Sequence, residues 1–429
     1  MAIHRAAYLS DPRTDHAGRT LLLTFNNSLV RYLDHLASTS THTFTVETYH
    51  KFARGYLASR GLIGNNSILN DREALIARAL STIAAATKAP ILARPLEFFE
   101  EEFTWISSHG ISSINDYTDA ERVGRASRAP RTLRPLIWGV FEEYRRLRSL
   151  VGFRYDWDDL ATAVVGAFEG DTAQRRYKHI IIDEGQDFSP QMLKSLATAI
   201  QPGGSLTFFG DTAQQIYGQR MSWKTAGLQV QHREIIRFEA NYRNTKAVAA
   251  LALAIASMPY YAGTPDMVAP KQPTADGPKP ALVSFMNEAE EARFAVERAI
   301  AAATNRSVAI LVRRREDEGL LKALLPSGSV RLHRNMPSWR GGNGIRYGTY
   351  HAAKGLEFDQ VFLPFVSAAR MPNQADRTAF GDEEATARDG KLLYVGVTRA
   401  KSDLVLSFSG EPSALLPANP ALYAVASIR

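Results

Sequence analysis

Two short apolar runs narrow the folds open to this chain, because each stops at a cluster of polar residues. Ile180-Ile181-Ile182 runs into Asp183-Glu184-Gly185-Gln186-Asp187, and Ser205–Phe209 runs into Gly210-Asp211-Thr212-Ala213-Gln214. An unbroken apolar run of this length fits a strand buried on both faces of a parallel sheet. Ligands of such sheets sit beyond the carboxyl ends of the strands, where both clusters fall. Adjacent carboxylates such as Asp183 and Glu184 at that edge can divide labour, one holding Mg²⁺, directly or through water, and the other polarising an attacking water. A lone apolar strand ending in Asp-Glu is more often just a strand entering a loop. A second strand with the same kind of ending is hard to explain as packing.

The rest of the chain fits an α/β architecture. Arg19–Phe25 reads as another buried strand, Asn27–Leu36 as a helix with Leu29, Leu33 and Leu36 in step, and Thr43–Val46 as a strand leading into a helix near Thr48. From about residue 60 to 155 the pattern is helical, which predicts a helical block inserted into the strand alternation. Six prolines between Pro259 and Pro280 predict a loop. Beyond it, strand-like runs at 281–285, 307–312, 345–350, 360–366 and 403–408 alternate with helical stretches at 287–303, 316–325 and 382–393, a second unit with a mainly parallel sheet.

Composition sets outer limits. The 429 residues are 45% hydrophobic, carry a net charge of +7 and contain no cysteine. Disulfides and thiolate metal sites are excluded, and a cytoplasmic setting fits. No apolar run is long enough to cross a bilayer, and the first residues hold no signal-peptide stretch. The positive charge fits a polyanionic partner, although a merely soluble basic protein has the same balance.

Three further patches carry chemistry. Asn241-Tyr242-Arg243 offers an aromatic face for a base and a guanidinium for phosphate; alone, the tripeptide is more often a helix cap with a surface arginine. Tyr394–Lys401 runs helically into Thr398-Arg399, and a fixed guanidinium beside a developing phosphoryl charge acts as an arginine finger. Thr349-Tyr350-His351-Ala352-Ala353-Lys354-Gly355-Leu356-Glu357-Phe358 places polar donors, Thr349 and His351, at the end of a strand, suited to phosphates of a nucleic acid. An ordinary strand-to-helix loop explains Gly355 but not the remainder.

In order and chemistry these patches resemble the UvrD/Rep-like superfamily 1 DNA helicases, over essentially the whole chain. The resemblance implies two RecA-like motor domains clamping ATP, the first built from 1–59 plus 156–238, the second from 239–429, with a helical subdomain inserted at 60–155. It also implies roles. Asp183 and Glu184 serve Mg²⁺ and catalysis, Gln214 couples nucleotide state to DNA, and Asp211 belongs to the nucleotide site. Tyr242 stacks on adenine, Arg243 and Arg399 reach the γ-phosphate, and Gly355 and Glu357 lie at the nucleotide, with Glu357 on the ribose. Leu23-Thr24-Phe25-Asn26 and Thr48-Tyr49-His50-Lys51-Phe52 resemble the segments that contact single-stranded DNA. Tyr217 and Trp223 are stacking candidates, Trp223 standing in for an aromatic that many relatives carry where this chain has Gln219.

Two departures stand out. Only 326–344 is available for the large insertion of the second motor domain, so it is expected to be absent or reduced to a loop. No G-x-x-x-x-G-K-[ST] phosphate loop occurs among the 429 residues. Ala2–Leu9 reads like the helix that follows this loop in many relatives, so the sequence is expected to start just past it. The expected function is an ATP-dependent helicase and translocase, 3′→5′ on single-stranded DNA and at duplex junctions, inactive without the loop. The alternative is a non-enzymatic DNA-binding or partner-binding module with a degenerate motor.

Overall fold

The computed structural model describes residues 1–37, 43–64, 66–122, 129–172, 175–210, 244–261, 273–333, 336, 339 and 341–427. Asp211, Gln214, Tyr217, Trp223, Tyr242 and Arg243 lie outside them.

The chain forms two parallel sheets. The first has strand order β2-β1-β5-β6, with β1 Thr20–Thr24, β2 Thr45–Thr48, β5 Tyr177–Ile182 and β6 Ile200–Phe208. Helices α1 (Ala2–Ser10) and α2 (Asn27–Ala37) lie on one face; α3 (Tyr49–Ser59), α8 (Leu160–Glu169) and α9 (Pro190–Thr198) lie on the other. Side chains alternate across a strand, so the apolar runs feed both cores. Leu22 and Ile181 enter the α1–α2 side, while Leu21, Leu23, Ile180 and Ile182 enter the other. β6 begins five residues before the expected start, at Ile200, and Gly203 and Gly204 lie within it.

Between these strands the chain is helical, as expected: α4 Glu73–Ala86, α5 Leu96–Ser108, α6 Ile114–Asp119 and α7 Arg134–Leu150, with a small parallel pair, β3 Ile68–Leu69 and β4 Tyr155–Asp156, at the root. This block has its own aromatic core, including Phe98, Phe103, Trp138 and Phe141. Inside it sits a fully buried carboxylate, Glu102, which accepts from Tyr117 Oη at 2.6 Å and from Arg122 Nη2 at 2.5 Å.

The second sheet has order β13-β7-β12-β11-β8-β10-β9 and every pairing is parallel. Its strands are β7 Ala281–Phe285, β8 Ser307–Val312, β9 Val330–Arg331, β10 Gly344–Thr349, β11 Phe358–Leu363, β12 Ala400–Ser409 and β13 Ala424–Ser427. Its helices are α10 Lys246–Ala256, α11 Glu288–Ala302, α12 Glu318–Lys322, α13 Gln374–Phe380 and α14 Asp382–Thr398. The expected helix at 316–325 shortens to α12. β8 divides as the first sheet does, with Val308, Ile310 and Val312 against α11 and Ala309 and Leu311 against the opposite layer.

One apolar cluster joins the two units. It holds Leu22, Leu29, Leu33 and Ile181 of the first together with Leu311, Tyr350, Leu356 and Leu363 of the second. The helical block shares no apolar cluster with the second unit among the described residues. No described helix is long and apolar enough to cross a membrane.

Glu102 gives a direct test of the block's independence. Removing a partner from a buried, paired charge costs about 3–5 kcal/mol. Glu102→Ala is expected to melt the helical block first, seen as early loss of tryptophan signal from Trp105 and Trp138 in thermal unfolding.

Candidate nucleotide and nucleic-acid site

β5 delivers Asp183 and Glu184 as its pattern predicts. The Asp183 amide donates to Leu23 O at 2.8 Å, extending the β1–β5 pairing to the strand's end. Glu184 then takes a left-handed backbone, φ 53°, unusual for a residue with a Cβ. Such strain of about 1–3 kcal/mol persists only where the surroundings impose it. Here Gly185 donates to Phe209 O at 2.8 Å, and a Cβ on Gly185 would meet the Phe208 ring at 2.2 Å. The turn is therefore pressed against β6, and the Glu184 carboxylate is held by Gln186 Nε2 at 2.6 Å.

The same turn bonds across to the second unit. Asp187 Oδ1 accepts from Lys354 Nζ at 2.7 Å, with both side chains almost completely buried. Burial pushes the Asp187 carboxyl up to about 6, against the pull of Lys354. Asn26, capping α2 by accepting from the Leu29 amide at 2.7 Å, donates from Nδ2 to Lys354 O at 3.0 Å. Gly355 follows at φ 80°, and a Cβ there would meet Leu29 Cδ2 at 2.6 Å. Glycine is needed twice over, for the backbone and for the close approach.

Arg399, the arginine-finger candidate, is 2% exposed. Its Nε donates to Val395 O at 3.0 Å, its Nη1 to Leu356 O at 3.1 Å and its Nη2 to Thr398 Oγ1 at 3.0 Å. It thus grips the 349–357 segment two residues from Lys354, with these donors turned to protein acceptors. Glu357, next to Leu356 in sequence, is half-buried.

The expected single-strand contacts differ in access. Thr24 is fully buried, its Oγ1 without a hydrogen-bond partner, so no direct contact to a surface strand is open to it in this conformation. A strand end fixes the position of a residue but not which face it turns to. Phe25 is half-buried, edge-on to Phe188 at 6.4 Å. Thr48 caps α3, accepting from the Lys51 amide at 3.2 Å. The His50 ring lies edge-on to Trp157 at 5.6 Å. Thr349 accepts from the Ala352 amide at 3.3 Å. His351 is half-buried; burial first, then the charges of Arg313 and Lys354, lower its pKa to about 3.

The sequence reading missed two groups here. One is the Lys354–Asp187 pair. The other is Arg313, which donates to Asp389 at 2.5 Å and to Asp376 at 2.6 Å. The carboxylates at Asp183 and Glu184 suit Mg²⁺, which takes one or two carboxylates and fills its shell with water and phosphate oxygens. Among the described residues no group of three or more His, Asp or Glu could hold an ion unaided.

Two outcomes are expected. Lys354→Ala leaves Asp187 buried without its partner, and denaturant unfolding should show a loss of about 3–5 kcal/mol. For His351 the folded chain refuses a proton that the unfolded chain accepts. Its contribution is therefore complete above the ordinary histidine range and is lost as pH falls towards 3. Stability should drop by no more than about 1.4 kcal/mol per pH unit in that window, and His351→Gln should flatten the slope in pH-dependent denaturation.

The family model for the UvrD/REP helicase N-terminal domain matches residues 2–233, and that for the UvrD-like helicase C-terminal domain matches 329–411. The ATP-dependent DNA helicase UvrD2 of Mycobacterium tuberculosis is 25% identical over 527 aligned residues, covering 95% of this chain and 74% of that protein. DNA helicase II of Escherichia coli is 35% identical over 97 residues, 22% of this chain and 13% of that one. Among solved structures, the C-terminal domain of a possible DNA helicase from Lactobacillus is similar at 23% identity with a TM-score of 0.31, covering 43% of this chain and 99% of that one; so low a score adds no weight. The N-terminal model alone spans more than half of the sequence, and the chain belongs to the UvrD/Rep helicase family.

Proposed function

We propose that the chain is the motor of an ATP-dependent DNA helicase, moving 3′→5′ on single-stranded DNA and acting at duplex junctions. Its units are residues 1–59 with 156–238, the insertion 60–155, and 239–429. The observation that carries this reading is the buried Lys354–Asp187 bond, which ties the segment Thr349–Phe358 to the turn after Asp183-Glu184. Nucleotide chemistry at Glu184 and strand contacts at Thr349 and His351 then share one rigid connection.

Each residue has a role in this reading. Asp183 would hold Mg²⁺, which when bound neutralises phosphate charge. Glu184 orients the attacking water and takes its proton. Gln214 and Arg243 serve the γ-phosphate, Tyr242 stacks on the adenine, and Asp211, Gly355 and Glu357 complete the nucleotide site. Arg399 reaches the phosphates only after leaving Leu356 O, so productive closure must rearrange the 349–357 segment. Phe25, Asn26, Thr48, His50, Tyr217, Trp223, Thr349 and His351 form the strand track, with Thr24 beneath it.

The alternative, a DNA-binding module without hydrolysis, is favoured by one fact: the 429 residues contain no Gly-Lys-Thr phosphate loop. That loop would grip the phosphates through backbone N–H groups and a lysine. The 429-residue chain is therefore expected to bind single-stranded DNA, with affinity falling steeply as salt rises, and to show little DNA-stimulated ATPase. A version extended at its amino end by a loop-bearing segment ending in Gly-Lys-Thr should hydrolyse ATP and unwind duplexes with a 3′ tail. In that version Glu184→Gln should abolish turnover and spare nucleotide binding. ATP hydrolysis by the 429 residues alone at a helicase-like rate would mean that other residues cradle the phosphates.

A further inference from the structure

The helical insertion belongs by chain connection to the first unit, yet it also touches the second. Glu101 on α5 pairs with the Arg388 guanidinium on α14 through both carboxylate oxygens. Arg388 also pairs with Glu384 and lies over the Phe380 ring, 4.0 Å from its centroid. Arg94, at the start of α5, donates from Nη2 to Ala379 O at 2.9 Å. The three units are thus joined pairwise. First and second meet at Asp187–Lys354. Insertion and first meet at the root, where Arg148 pairs with Asp159 at 2.6 Å and Gly110 seats on the Gln191 side chain. Insertion and second meet at Glu101–Arg388.

The three joints differ in kind. The first–second joint contains an apolar cluster, so opening it would expose core. The insertion–second joint is a two-pronged ion pair beside one aromatic ring, together with the Arg94–Ala379 hydrogen bond, with Arg388 26% and Glu101 35% exposed at the side chain. Salt screens a pair exposed to this degree in part, and among the described residues no apolar cluster lies behind it. It is the joint of the three that can open without exposing core.

The residues proposed for the strand track neighbour both of the insertion's anchors. On the first unit His50 lies against Trp157, just after the chain returns from the insertion. On the second, Arg313, whose charge acts on His351, binds Asp389, the neighbour of Arg388. We propose that Glu101–Arg388 is an ionic gate, closing the three units into a ring around a single strand that enters when this pair opens. The inference rests on the DNA-binding reading above.

The absence of cysteine allows a clean topological test. The double variant Glu101→Cys, Arg388→Cys is joined by a bis-maleimide whose reach matches an arginine plus a glutamate. The probes are a linear oligonucleotide and a closed single-stranded circle carrying the same sequence. Protein locked before mixing should thread onto the linear strand and lose at least tenfold in affinity for the circle. Protein locked after mixing should stay on the circle through a salt wash that strips the unlocked form. Each single variant capped with a mono-maleimide should bind both DNAs alike. Equal binding of the pre-locked protein to circle and line would overturn the gate alone. Failure of the unmodified chain to bind the linear strand would overturn the functional reading and the gate with it. If the cysteine pair folds poorly, the exchange Glu101→Arg, Arg388→Glu serves. It should load onto circles at the wild-type rate, whereas Arg388→Glu alone should load several-fold faster; equal loading rates in all three proteins would also overturn the gate.

Discussion

Much of this structure hangs on one buried ion pair. Lys354 and Asp187 lie 167 positions apart in sequence, and each would be costly to bury alone. Together they fix where the second sheet sits against the turn after β5. The apolar cluster around Leu29 and Leu356 supplies affinity between the units, but apolar contact is non-directional. Direction comes from Lys354, Asn26 and the Gly355 backbone pressed on Leu29.

This arrangement creates a tension at the site. Glu184 stands on a strained backbone next to a turn already locked across the cleft. Arg399 spends its described hydrogen bonds on the carbonyls of Val395 and Leu356 and on Thr398. Both groups here serve the protein's own packing. A ligand that draws Arg399 off Leu356 would remove one hydrogen bond from the segment that carries Lys354.

Much of the fold was legible from the sequence. Ile180–Ile182 and Arg19–Phe25 announce buried strands because the apolar side chains have no polar alternation to break them. Thr48 and Asn26 mark helix starts because short polar side chains cap amides. The described residues include four parts of the site that could not be read locally. Arg313, Lys354 and Arg388 meet acids 76, 167 and 287 positions away, and no periodicity links such partners. Thr24, expected within a single-strand-contacting segment, is buried, since a strand pattern with apolar residues on both sides does not say which polar end residue turns inward. The clusters themselves, Asp183-Glu184 and Thr349–Glu357, were legible because their chemistry is local.

Helix α14 has a mechanical consequence. Arg388 near its middle answers to the helical insertion, and Arg399 just past its carboxyl end answers to the 349–357 segment. Eleven residues of α-helix make a stiff rod of about 16 Å. A displacement at the insertion cannot be absorbed along such a rod and emerges at the guanidinium. The helix is thus a lever, with Asp389 held on Arg313 as its pivot, that ties the insertion to the 349–357 segment through one rigid body.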